Sequence, residues 1–383
     1  MRLQGFGRLT PAVLLFATAS LAVFRAPTHF LWMLAIVVTE WGQFFAIVCF
    51  ALALPLWSRS WSGRLAACLC LAAAVVALTP VLRAEWMTED LDQRLVQAFG
   101  EPTANARRPL QLSQLFLPFS SSGVQPKSIL YRQIDGVNLS LDFYPSKNVT
   151  DAPLVVVIHG GSWNSGDNKD FVSMDQYLAG RGYAVADVLY RLAPRAPFPA
   201  ASDDVRDAIL FLQERASRLG FDPTRIVLLG RSAGGEIAFH VAYSSSEPSV
   251  RGIIAFYPPT DLFYGWEHPS SPWVIDTREK LTDYLGGSPL DFPERYVAAS
   301  PVRQATAASP PVLLFHGGRD ELVGPYHSTV MAHRLTELGV RNLNVSLPWA
   351  THGFDYFLNG PGGQISRYAI DVFLDSVCNR TSP

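Results

Sequence analysis

Cysteine is scarce in this chain, and charge is nearly missing from its first 82 residues. Four cysteines occur in 383 residues. Cys49, Cys68 and Cys70 lie in apolar stretches, which leaves Cys378 without a partner in the rest of the sequence. A disulfide-stapled scaffold is therefore excluded. Residues 1–82 hold six charged side chains, Arg2, Arg8, Arg25, Glu40, Arg59 and Arg64, and the whole chain has a net charge of −2. With no basic surplus to neutralise phosphates, a nucleic-acid binder is excluded. A hydrophobic content of 49% excludes a disordered chain. The sequence also lacks H-E-x-x-H and paired Cys-x-x-Cys, and it lacks a glycine loop ending in lysine. Neither a metal nor a phosphate-bearing cofactor is expected.

What the first part does contain is three apolar stretches, 9–24, 30–56 and 65–82. A spanning helix needs about 20 apolar residues, with about 17 as a lower limit. The second and third stretches are long enough and the first is marginal. We read 1–82 as a transmembrane anchor of three helices. The alternative for 9–24 is a cleaved leader, with Arg2 and Arg8 before it and Ala17-Thr18-Ala19 as the small-residue site. Arg2, Arg8, Arg59 and Arg64 favour the cytoplasmic side, and the acidic run Glu85, Glu89, Asp90, Asp92 follows the third stretch. This predicts an integral membrane protein whose globular part lies outside the cytoplasm. Glu40 is either a functional intramembrane carboxylate or a bland one, protonated or at a kinked, water-accessible point beside Trp41-Gly42-Gln43. Residues 83–127, with Pro102, Arg107-Arg108-Pro109 and Ser120-Ser121-Ser122-Gly123, read as a linker that includes a short amphipathic helix over 85–99.

From 128 onward the pattern changes. Segments 128–134 and 137–143 flank Asp135-Gly136, a hairpin turn. Apolar β-branched runs follow at 154–158, 183–188, 226–229, 253–256, 312–315 and 343–347. Helical patterns at 171–180, 202–219, 233–243, 326–338 and 365–377 separate them. This alternation predicts an α/β fold: a mostly parallel central sheet covered by helices on both faces. Residues 128–383 form the expected catalytic domain, and ligands of such sheets bind at the carboxyl ends of the strands. Segment 258–301 is too long for an ordinary connection and carries Phe263, Tyr264, Trp266, Trp273 and Tyr284. It reads as a lid over a substrate, with Trp266 and Trp273 as contacts, or else as an insertion packed on the body. Asn138, Asn148, Asn344 and Asn379 head N-x-S/T triplets, which accept glycans in a secreting eukaryotic host.

The chemistry gathers at those strand ends. Gly230-Arg231-Ser232-Ala233-Gly234 matches G-x-S-x-G between an expected strand and an expected helix, the setting of a nucleophile elbow. His159-Gly160-Gly161-Ser162-Trp163 follows another strand. The amides of Gly160, Gly161 and Ala233 are the expected oxyanion hole. The general base follows the serine in this arrangement, so His159 is read as a loop-shaping residue. Among His240, His268, His316, His327, His333 and His352, the last sits in a loop directly after a strand. Asp320, in Gly317-Gly318-Arg319-Asp320, sits on the loop after the preceding strand and completes a Ser232–His352–Asp320 triad. Glu321 and Asp355 are the fallback acids.

These motifs together resemble the α/β-hydrolase superfamily, in its hormone-sensitive-lipase-like carboxylesterase branch. Tyr190-Arg191-Leu192-Ala193-Pro194, Phe198-Pro199-Ala200, Asp203-Asp204-Val205 and Asp222-Pro223-Thr224-Arg225-Ile226 belong to the same resemblance. The branch commonly has a third glycine after His-Gly-Gly, where this chain has Ser162 and then Trp163. His-Gly-Gly-x-Trp is similar to kynurenine formamidases and to isoprenylcysteine methylesterase-like proteins, which also join membrane spans to such a domain. The resemblance implies a membrane-anchored serine esterase acting on a small-molecule ester and leaves the acyl group open, with Trp163 read as a substrate contact; the anchor and the aromatic-rich insertion suit lipid or amphiphilic esters. An arylformamidase-like amidase and a silent membrane-held binding module are the alternatives.

Overall fold

The run Ala-Pro-Leu-Val-Val-Val-Ile has no polar face, and as a strand it is buried along its whole length. In the computed structural model, which describes residues 3–57, 60–101, 108–244 and 250–378, this strand is central to an eight-stranded sheet. Arg2, Arg59, Pro102, Arg107 and Asn379 lie outside the described residues. The strands are β1 (Lys127–Ile134), β2 (Val137–Tyr144), β3 (Ala152–Ile158), β4 (Ala184–Val188), β5 (Phe221–Arg231), β6 (Val250–Phe256), β7 (Val312–Gly317) and β8 (Asn342–Leu347). Their order is β1-β2-β4-β3-β5-β6-β7-β8. β1 and β2 form the hairpin, β2 runs antiparallel to β4, and all other pairs are parallel.

The two-residue period of a strand divides each run between two cores. Leu154, Val156 and Ile158 join one cluster with Ile226, Leu228, Ile253 and Leu314. Val155 and Val157 join the other with Val227, Leu229, Ile254 and Phe315.

Fourteen α-helices are described. α1 (Leu3–Ser20), α2 (His29–Glu40), α3 (Gly42–Leu56) and α4 (Trp61–Phe99) precede the sheet. α5 (Val172–Gly180), α6 (Ala200–Gln213), α7 (Ala216–Leu219) and α8 (Ala233–Ser244) follow within it. α9 (Leu262–Glu267), α10 (Thr277–Leu285), α11 (Pro293–Ala298) and α12 (Pro301–Gln304) fill the insertion between β6 and β7. α13 (Tyr326–Glu337) and α14 (Pro361–Cys378) complete the chain. Val205, Ile237 and Leu335 of α6, α8 and α13 belong to the first cluster. Leu178 and Phe373 of α5 and α14 belong to the second.

The first hundred residues depart from the sequence reading in shape. α4 is one helix of 39 residues. It does not stop near 82, because Arg83-Ala84-Glu85 contains no breaker and continues the turn. Its far end presents Leu91, Leu95 and Phe99 at helical spacing, all buried in the second core, with the Phe99 ring 4.9 Å from Phe373. The stretch read as a linker therefore begins as helix packed on the sheet. α4 is long and apolar enough to cross a membrane. α2 and α3 pass the same test only together, and they meet at an angle of 85°. The apolar part of α1, Leu9–Ser20, is shorter. The chain does turn at Trp41, but Glu40 is fully buried rather than open to water, and its carboxylate accepts the Gly362 amide at 2.9 Å.

Candidate active site

Ser232 stands between the end of β5 and the first residue of α8. Its φ of +52° is strained for a residue with a Cβ. The turn is held from both sides. The Ser232 amide donates to the Phe256 carbonyl at 2.9 Å, and the Ser232 carbonyl accepts the Gly235 amide at 2.9 Å. A side chain at Gly230 would strike the backbone of Gly234, and one at Gly234 would strike the carbonyls of Ile158 and His159. The tightness of the elbow itself thus demands glycine at 230, and its packing against the end of β3 demands glycine at 234. Ala233, as the first residue of α8, has no intrahelical acceptor for its amide.

The loop after β3 turns as sharply. Gly161, Ser162 and Trp163 all have positive φ, at +112°, +53° and +61°. The Gly161 carbonyl is taken up by the Asn164 and Ser165 amides at 3.1 and 3.0 Å, which closes the loop on itself. His159 lies beneath it, stacked on Tyr190 at 4.2 Å, with Nδ1 2.7 Å from the Gly160 carbonyl. Burial pushes the His159 pKa down. Gly160, Gly161, Ser162, Ser232 and His352 line a common cavity of about 680 Å³. Ser232 and Ala233 also border a second cavity of about 460 Å³ beneath the β6–β7 insertion.

His352 lies on the loop after β8, with Nδ1 2.7 Å from Oδ2 of Asp320. The other oxygen of Asp320 accepts the amides of Leu322 and Val323 at 2.9 and 2.8 Å. Burial favours the neutral acid, but the His352 charge and hydrogen bonds from His316 and His352 outweigh it and hold this carboxyl well below the usual range. Among the described residues no hydrogen bond joins Ser232 to His352. Such contacts are often long until substrate binds.

The fallback acids are engaged elsewhere. Asp355 accepts from Arg231 Nε and from the Tyr257 hydroxyl, both at 2.6 Å. Glu321 accepts from the Thr351 hydroxyl and from the Ala26 amide. The other histidines are also spoken for. His316 sits between Ser328 and Val323 and is 3.4 Å from Asp320. His327 accepts the Thr260 and Asp261 amides, and burial lowers its pKa to about 3. His240 packs on Phe198, His268 stacks on Tyr264, and His333 faces Glu337 at the surface.

Of the three tryptophans read as substrate contacts, only Trp163 borders a cavity that reaches Ser232. Trp266 packs edge-on against Tyr296 and lines neither cavity. Trp273 points to solvent, 79% exposed, and lines neither. α9 turns the first away from the cleft, and the second sits on the outer rim of the insertion.

Two groups of site residues escaped the sequence. Glu236 is fully buried in α8, accepting from the Trp163 indole at 2.9 Å and the Tyr284 hydroxyl at 2.8 Å. Burial raises its pKa to about 8. Its signal was an acidic residue four positions past the serine in an apolar helix. The second group is the N-terminal segment. Arg319, adjacent to Asp320, donates to the Leu21 and Phe24 carbonyls at 2.7 and 3.2 Å. The Trp32 indole donates to the His352 carbonyl at 3.0 Å. His29, Trp32 and Ile36 line the larger cavity. No sequence signal marks a contact between residues so far apart. Among the described residues, no group of three or more His, Cys, Asp or Glu side chains is placed to hold a metal ion.

Comparison with known proteins gives this geometry its relatives. The model of the family described as BD-FAE matches residues 141–335. Esterase LipC of Mycobacterium tuberculosis is 27% identical over 246 residues, which is 59% of this chain and 59% of LipC. The probable carboxylic ester hydrolase LipM of the same organism is 25% identical over 294 residues, 73% of this chain and 66% of LipM. The chain thus spans about three-fifths to two-thirds of the length of these curated relatives. Among solved structures, esterase Est2 of Thermogutta terrifontis superposes with a TM-score of 0.50 at 28% identity, covering 60% of this chain and 84% of that one. A bacterial heroin esterase superposes with a TM-score of 0.57 at 25% identity, covering 69% of this chain and 87% of that one.

Proposed function

This chain belongs to the BD-FAE family, in the carboxylesterase branch of the α/β-hydrolases, and from that premise we propose that it is a membrane-anchored serine hydrolase that cleaves carboxylic esters. The observation that carries the proposal is the Asp320–His352 pair at 2.7 Å, whose histidine shares a cavity with a serine strained at a strand-to-helix turn. The esterase names of the relatives point the same way.

In this reading the Ser232 hydroxyl attacks the ester carbonyl carbon and passes its proton to Nε2 of His352. Asp320 fixes the tautomer with the proton on Nδ1 and stabilises the imidazolium. The amides of Gly160, Gly161 and Ala233 hold the developing oxyanion. When the intermediate collapses, the carbon–oxygen bond breaks and the alcohol leaves with the proton from His352. Water then attacks the acyl-enzyme, giving its proton to His352, and the serine is released with a carboxylic acid. Trp163 closes one side of the pocket, locked by its stack on Tyr284 at 4.4 Å and its bond to Glu236.

Residues 1–82 serve as the anchor, with α4 as its clearest spanning helix, and the domain from 128 onward lies outside the cytoplasm. The insertion 258–301 roofs the smaller cavity.

Hydrolysis of p-nitrophenyl esters by the full-length protein tests the reading, with Ser232→Ala as control. Turnover that disappears in the control supports it. Turnover that survives Ser232→Ala overturns the assignment. Turnover of N-formylkynurenine with none of any ester replaces it with the formamidase reading.

A further inference from the structure

The larger cavity has an unlike lining. Asp276, Glu279 and Lys280 of the insertion contribute charge, and Trp32 and Ile36 of α2, with Tyr356, contribute apolar surface. Ser232 and His352 line the same cavity. α2 is therefore more than a tether, since its residues bound the space next to the reacting serine.

The apolar wall continues outward. Tyr356, 57% exposed, meets Phe357 at 5.5 Å, and Phe357 meets Trp41 at 4.5 Å. Trp41 in turn meets Phe44 of α3 at 6.3 Å. This aromatic track leads from the cavity to the half-exposed Phe44 of α3, and Phe30, Val37 and Ile47 of the two helices are exposed as well. Exposed apolar side chains on adjoining helices are suited to contact with lipid.

Resting on the ester-hydrolase reading above, we propose that α2 forms the substrate's acyl wall. The substrate class is an amphiphilic ester with a long apolar chain, taken from the bilayer. The chain lies against Trp32, Ile36 and Tyr356, and the polar end faces Asp276, Glu279 and Lys280. A short water-soluble ester reaches the same serine but leaves the wall uncovered. Its rate therefore lacks the contribution of methylenes buried there.

The test uses full-length protein in phosphatidylcholine vesicles, with p-nitrophenyl acetate and p-nitrophenyl laurate as probes. The readout is the laurate-to-acetate ratio of kcat/KM. Ile36→Glu puts a charge in the wall and lowers the ratio about tenfold, the discrimination that apolar pocket contacts provide. Tyr356→Ser alters an exposed side chain, so it tests the wall without relying on core packing, and it lowers the ratio in the same direction. Leu290→Glu, at a side chain 93% exposed and outside the cavity lining, leaves the ratio unmoved. An unchanged ratio in both wall variants, with wild-type turnover intact, overturns this inference and leaves the hydrolase reading standing. Absence of wild-type turnover on both esters removes the hydrolase reading and the inference with it.

Discussion

The indole N–H of Trp32 reaches the carbonyl oxygen of His352 at 3.0 Å, across 320 residues of sequence. A helix that composition marks as membrane anchor thus braces the loop of the proposed general base. A net hydrogen bond is worth about 0.5–1.5 kcal/mol. Trp32→Phe keeps a ring at the cavity and removes the donor, so kcat falls about two- to tenfold on a short ester, with a smaller change in KM. Steady-state kinetics check this. A kcat equal to wild type would show that the bond does not position the histidine.

Removing the proposed nucleophile has a larger effect. Ser232→Ala lowers kcat by at least about 10⁴-fold, the scale on which triads act as a unit. The same variant loses labelling by a fluorophosphonate probe, read on a gel.

Asp320→Asn is expected to leave the fold in place and, on the proposed mechanism, to stop enforcing the tautomer in which Nε2 of His352 serves the serine. The expected loss in kcat is about 10³–10⁴-fold. A loss below tenfold would move the acid role to another residue, and the same substitution at Asp355 would then be measured.

Glu236 gives a pH dependence with a definite sign. Burial raises its folded pKa to about 8, above the ordinary glutamate value of 4.5. The folded state therefore holds a proton that the unfolded state has released, and stability falls as pH rises from about 4.5 to about 8. Glu236→Gln keeps an acceptor for Trp163 and Tyr284 and abolishes the titration. The variant's Tm gains on wild type as pH climbs through this window. Parallel Tm profiles for the two proteins count against a raised Glu236.

Leu95 tests whether the far end of α4 belongs to the core. It is buried against the sheet. Leu95→Ala costs about 2–5 kcal/mol, as for other buried leucines. A change below about 0.5 kcal/mol in detergent-solubilised protein would mean that the helix end rests on the surface.

The sequence revealed most of the sheet, because its strands obey a two-residue period on two buried faces, as Leu154 and Val155 do. It also pointed to Ser232, Asp320 and His352 by their places at strand ends, and the structure brings the last two together. It did not reveal α4's continuation, because 65–82 and 85–99 differ in composition while the backbone between them has no breaker. It did not reveal Trp32 or Ile36 beside His352, because hydropathy reports the solvent of a segment and not its neighbours. Trp266 and Trp273 show the converse: an aromatic-rich insertion does not say which rings turn inward.

The unbroken run of α4 from Trp61 to Phe99 has a kinetic meaning. A helix of this length is a rod of roughly 58 Å at about 1.5 Å per residue. One end lies among apolar helices and the other is embedded in the core beneath the sheet. On the proposed anchoring in a bilayer, this helix would hold the cleft at a set height above the lipid. For the bilayer-resident ester proposed above, the concentration that governs the rate would then be the number of substrate molecules per unit area of membrane, and diluting the surrounding water would leave that rate unchanged.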